Sequence, residues 1–366
     1  MQIVDSNADP GDQSGVGLVV FPLSGFFNAI TSVSNESQSL HRFVVASNQY
    51  SVSNEIIVVD FDEDTRNSAV VARVGSQNPV QHLRELAVAS EQPRLLLSQK
   101  DIGTNETSVK VAELGTSEAT QLKVTATSNP FKGTVRGIAV DPYTTKITNA
   151  KLAVVQPDLL RIIKVNESTI DDLTNIAPKQ ISTEGVVSGS FEDCRRRFYT
   201  GKFDPHHRDI IGCAVADRFE LFDCRQSPEE LITVASGLCH QGDVRDIDFN
   251  PNVPNELVTV GEDAKIVVWD LRATLKPLDV ITKGHQNFIS YVRFNSFHDQ
   301  LILTGGASST FMHMRDKTGT SIVYHNVEPS RNACWSLTDA WHFAMLSGNM
   351  LVFDLTPASV KYKLLL

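Results

Sequence analysis

A chain of 366 residues, 41% hydrophobic and 21% charged, has ample material for a core without a disulfide or metal staple. Its formal net charge of −10, from 33 basic and 43 acidic residues, repels phosphate backbones, so nucleic acid is not an expected partner. The five cysteines (Cys194, Cys213, Cys224, Cys239, Cys334) are odd in number and include no C-x-x-C pair, which argues against a disulfide framework or a cysteine zinc site and for a reducing cytosol.

Residues 1–17 are polar and acidic, with neither a basic nor an apolar leader region, so no secretory signal is expected. The apolar stretch 17–33 is interrupted by Pro22, Ser24, Asn28 and Thr31, too polar for a span, so no direct membrane insertion is expected. The sequons at Asn35, Asn105 and Asn166 carry little weight without a secretory signal.

From there on, short β-rich runs recur, each followed by turn residues. They are Ile57-Val58-Val59-Asp60-Phe61, Val109-Lys110-Val111, 160–165, Glu220-Leu221-Phe222-Asp223, Ile266-Val267-Val268-Trp269-Asp270, 310–314 and 350–354. Their spacing of roughly 40–50 residues is that of four-stranded propeller blades. The expected fold is therefore all-β, a single seven-bladed β-propeller over 1–366. Its blades fall near 17–62, 80–114, 133–167, 185–225, 240–273, 285–318 and 329–366. The segments 116–132 and 166–190, rich in Thr, Ser and Asn, read as loops. The last blade needs a strand from elsewhere in the chain, and both 15–21 and 360–366 are candidates. The apolar Leu364-Leu365-Leu366 ending predicts burial of the tail.

The unit at 240–272 is the clearest. Val244, Ile247 and Phe249 alternate as an inner strand, and Pro251 ends it because proline cannot donate to a ladder. Gly261-Glu262-Asp263 turns the chain between two further strands. Here His240, Thr259, Asp263 and Trp269 can form a buried relay in which the Trp269 indole donates to Thr259, Thr259 meets His240, and Asp263 takes the other imidazole nitrogen. A His–Asp–Thr trio also suggests a catalytic triad, but a relay inside a blade is closed to substrate. In the next unit Ser308 stands for the turn aspartate and Met314 for the tryptophan, with His285 as the blade histidine; in the preceding one Phe222 takes the tryptophan place.

On these residues the chain resembles the WD-repeat proteins. The runs 244–252 and 294–306, Phe203-Asp204-Pro205-His206-His207, the stretch 42–61 and the ending Lys361-Tyr362-Lys363 followed by three leucines resemble more closely the family that interacts with the EARP and GARP tethering complexes. That resemblance implies a cytoplasmic, non-catalytic adaptor at endosomes and the trans-Golgi network. It would associate with tether subunits in endosomal recycling and retrograde transport, with no cofactor.

Partner contacts are expected where residues flank the inner strands at the channel mouth: Asp243, Arg245, Glu262, Phe288, Ser290 and Arg331, with Phe288 as an aromatic anchor. The ending Trp269-Asp270-Leu271-Arg272, partly repeated at Asp223-Cys224-Arg225, matches the docking motif of cullin-RING substrate receptors and leaves that role, through Arg272, as an alternative. A structural subunit of another large assembly is a third. His206 and His207 are adjacent, point to opposite faces of an extended chain, and are not expected to share a metal. The triplet Arg195-Arg196-Arg197 reads as a solvated loop. No phosphate loop, H-E-x-x-H or G-x-S-x-G motif is present.

Overall fold

A computed structural model describes residues 18–35, 37, 39–50, 53–86, 93–114, 122–177, 197–225, 233–273 and 276–365. The early part of the blade expected at 185–225, Cys194, Arg195, Arg196 and the final Leu366 lie outside the described residues.

Among the described residues, strands form five four-stranded sheets and one nine-stranded sheet. The large sheet consists of two antiparallel meanders. One runs from Val80–Leu86 to Lys123–Ser128, the other from Gly137–Val140 to Thr169–Ile176. A two-residue parallel contact, Thr169 opposite Thr127 and Ile170 opposite Ser128, joins them, and Phe131–Lys132 pairs on the side.

The first strands of the units form a closed circle. Phe27–Val33 lies against Val80–Leu86, then in turn come Gly137–Val140, Phe198–Phe203, Val244–Phe249, Ile289–Phe294 and Asn332–Trp335, which returns to Phe27–Val33. The hydrophobic clusters sit between consecutive units rather than within them. One packs Phe219 and Leu221 against Ile247 and Trp269, the next packs Val258 and Val268 against Ile289 and Phe294. Another joins the end of the chain to its start, with Phe353 and Leu351 against Phe43 and Phe61. This is an all-β propeller. The third strands are buried on both faces by such seams, as in the four buried residues of Ile266–Asp270, which is why they read as continuous apolar runs.

The sheet is closed by Val19–Pro22, which pairs antiparallel with Met350–Leu355. Of the two candidates for the closing strand this is the one at 15–21, so it belongs to the last blade and not to the blade placed at 17–62. The other candidate, 360–366, is no strand: Ala358–Leu365 is an α-helix. The edge it would have filled is already taken, and Pro357 accepts from the amides of Val360 and Lys361 at the helix start. Val360 is buried and Leu364 packs half-buried against the Tyr291 cluster one turn away, whereas Leu365 is 70% exposed. The tail is thus only half buried.

The loops expected at 116–132 and 166–190 contain outer strands, Lys123–Ser128 and Thr169–Ile176. The blade at 240–272 likewise gains a fourth strand, Asp279–Ile281. Outer strands face water on one side, and their polar composition hides them from a search for apolar runs.

Candidate interaction rim

Several inner strands open with an irregularity. The ladder to the second strand steps past Asn28, Gln81, Tyr199, Arg245 and Ser290, each the second residue of its strand. A bulge of this kind re-aims a side chain away from the regular pleat.

Four side chains from consecutive units stack at this end of the propeller. The Arg136 guanidinium carbon lies 5.6 Å from the Tyr199 ring centroid. The Arg245 carbon lies 5.5 Å from Tyr199 and 5.6 Å from Phe288. Cation and ring thus alternate across four units, each within the range of cation–π attraction. Carboxylates hold the ladder in place. The Tyr199 hydroxyl donates to Asp243, and Arg245 pairs with Glu262. Burial, and then Asp243, push the Tyr199 phenol up to about 12, so it remains a donor. Phe288 is 43% exposed and Arg136 is exposed, which leaves a phenyl ring and a guanidinium group available at the rim.

The expected partner residues therefore separate. Asp243, Arg245, Glu262 and Phe288 come together. Ser290 occupies the bulge of the adjoining strand and is half-buried. Arg331 stands apart: it donates to the Phe27 and Gly348 carbonyls and lies 4.2 Å from the exposed ring of Phe26. Arg272 is at the opposite end of its blade, since Asp270 pairs with Glu256 while Val244 pairs with Gly261. There it folds back on Asp270 through two hydrogen bonds of 2.9 and 2.7 Å. Arg136, Tyr199 and Phe26 were not expected. They precede or open inner strands as Asp243 and Arg245 do, but no blade histidine marks their units.

The relay has the expected bonds. His240 Nδ1 is 2.7 Å from Asp263, Nε2 is 2.9 Å from Thr259, and Trp269 donates to Thr259 at 3.1 Å. Thr259 is 0% and His240 7% exposed, so no substrate reaches the trio. Burial lowers the His240 pKa against the pull of Asp263. His207 bonds Asp204 and His206 faces the Asn250 carbonyl, so the two rings do not converge.

Below the rim the channel carries Arg84, Lys202, Asp246, Asp248 and Arg293. Lys202 lies 3.4 Å from Asp248, and Arg293 pairs with Asp246. A cavity of about 330 Å³ at the far mouth is lined by Arg84, Lys202, Phe203, Asp248, Phe249 and Phe294. No helix among the described residues is long and apolar enough to cross a membrane.

The sequence model of the EIPR1 β-propeller matches residues 24–313. The chain is 25% identical to the human EARP and GARP complex-interacting protein 1 over 396 residues, covering 95% of this chain and 98% of that protein. The rat protein of that name is 24% identical over 399 residues, with the same two coverages. The EARP-interacting protein 1 of Caenorhabditis elegans is 28% identical over 189 residues, 43% of this chain and 51% of that one.

Proposed function

This chain belongs to the EIPR1 β-propeller family, and from that membership we propose that it is a non-catalytic scaffold that binds vesicle-tethering complexes of the EARP and GARP type. We read each meander of the nine-stranded sheet as one blade, so that the proposed ring has seven among the described residues. The reading carries with it a cytoplasmic protein recruited to endosomes and the trans-Golgi network, acting in recycling and retrograde transport.

The observation that supports a binding role is the Arg136–Tyr199–Arg245–Phe288 ladder. Exposed aromatic and arginine side chains are the residue types that dominate interface energies. Glu262 and Asp243 fix the ladder before a partner arrives, which lowers the ordering cost of binding. Its exposed phenyl ring, flanked by guanidinium groups and carboxylates, suits an amphipathic segment of a tether subunit.

Affinity purification of the tagged chain from its own cells, followed by mass spectrometry, tests this. Tether subunits in near-stoichiometric yield are the expected result. Recovery of a cullin with its adaptor, or of an unrelated assembly, would replace the proposal.

A further inference from the structure

We propose that His41, His342 and Glu63 form a zinc site that clasps the seam where the two ends of the chain meet. His41 lies in the strand Leu40–Ser47 and Glu63 just after the strand Asn54–Asp62, both in the first complete sheet. His342 opens the strand His342–Ser347 of the closing sheet. One donor atom from each of His41, Glu63, Asp339 and His342 lies within 4.8 Å of the others. The two imidazole rings are 4.0 Å apart between centroids.

Each ring is held through Nδ1, by the Ser336 hydroxyl at 2.9 Å for His41 and by Asp339 at 2.7 Å for His342. That leaves Nε2 of both rings directed at the Glu63 carboxylate, each at 3.9 Å. The distance is too long for a hydrogen bond. His41 is 0% exposed, and its Nε2 is buried without a partner. A buried polar atom normally finds one.

Zinc bound to imidazole nitrogen and carboxylate oxygen at its usual bond lengths places neighbouring donors about 3.4 Å apart in a tetrahedron. Closing the 3.9 Å gaps between Glu63 and the two Nε2 atoms calls for a small shift of the Glu63 side chain, which is half exposed. Asp339 is a positioning residue rather than a ligand. One of its oxygens accepts the amides of Trp341 and His342 at 3.1 Å each, and the other accepts His342 Nδ1. Carboxylates behind ligand histidines serve in this way. The exposed side of Glu63 leaves a fourth position to water. Two imidazoles and a carboxylate suit zinc better than calcium or magnesium, which take oxygen ligands. Because the ligands come from two sheets that meet only in the closed ring, the ion favours closure by mass action.

The test titrates the full chain, stripped with a chelator, with zinc chloride by calorimetry and follows its thermal melt. One ion per chain is expected, with a melting temperature raised by about 3 °C at a hundredfold excess over the dissociation constant. Glu63→Gln keeps the side-chain shape and should weaken binding at least about tenfold. His207→Ala, at an exposed His–Asp pair elsewhere, should leave binding unchanged. Zinc-edge absorption of the unmodified chain should show imidazole and oxygen ligands. No binding, binding indifferent to Glu63→Gln, or sulfur ligation would overturn the proposal.

Discussion

The blade at 244–281 and its successor at 289–326 start alike and end differently. In each, a histidine four residues before the inner strand bonds a threonine of the second strand, His240 to Thr259 and His285 to Thr304, both at 2.9 Å. In the first, Asp263 and Trp269 complete the relay. In the second, His285 Nδ1 has no partner. Nor does the tryptophan place hold Met314, as the sequence suggests. Leu257 pairs with Trp269, and the equivalent Ile302 pairs with His313. The turn there is one residue shorter, which shifts the register and exchanges the faces. His313 is 0% exposed with both ring nitrogens unpartnered. A blade therefore does not need the relay in order to form. Apolar seams suffice, and the relay decides how much buried polarity is left uncompensated.

The largest way to break the contrast is Trp269→Ala. It removes an aromatic that packs 5.4 Å from Phe219 and strips Thr259 of its indole donor. We expect a loss of about 3–5 kcal/mol in urea unfolding, and a loss below about 1 kcal/mol would contradict the account.

Acid should act on the incomplete blade as well as on His41 and His82, which burial also lowers to about 4. Burial lowers His285 from 6.5 to about 4 and His313 to about 3. Below pH 6.5 the unfolded chain takes up protons that the folded chain refuses. Stability should therefore fall from pH 6.5 towards about 4, by at most about 1.4 kcal/mol per pH unit for each histidine. Unfolding measured across that range should show the slope, and His313→Phe should reduce it; an identical slope in the variant would rule out His313 as a source.

The same substitution at neutral pH is the smallest change and the sharpest. Phe222 already fills the equivalent place in the blade at 198–238, opposite Ile211. Replacing a buried imidazole with two orphaned nitrogens should stabilise the chain by about 1–2 kcal/mol, read as a higher melting temperature. Destabilisation would mean that His313 has a partner role.

These contrasts also explain what could be read without coordinates. Third strands such as Ile266–Asp270 were legible because both faces are buried, and the relay was legible because His240, Thr259, Asp263 and Trp269 keep a fixed spacing. Thr169–Ile176 was not, since most of its residues are exposed and polar. Arg245 and Phe288 could be picked from the marked blades. Tyr199 and Arg136 could not, because only the stack across blades reveals their role. His41 and His342 lie near opposite ends of the chain, where no local motif links them; ring closure brings them together.

The central claim is that the rim around Arg245 and Phe288, rather than the Asp270–Arg272 end, engages a tethering complex. The direct measurement is a parallel purification of the tagged chain and its Arg245→Glu, Phe288→Ala and Arg272→Glu variants, with tether subunits quantified by mass spectrometry. The account predicts at least about a tenfold loss for the first two variants, about 1.4 kcal/mol, and none for the third. Unchanged recovery in the rim variants, or loss confined to Arg272→Glu, would contradict it.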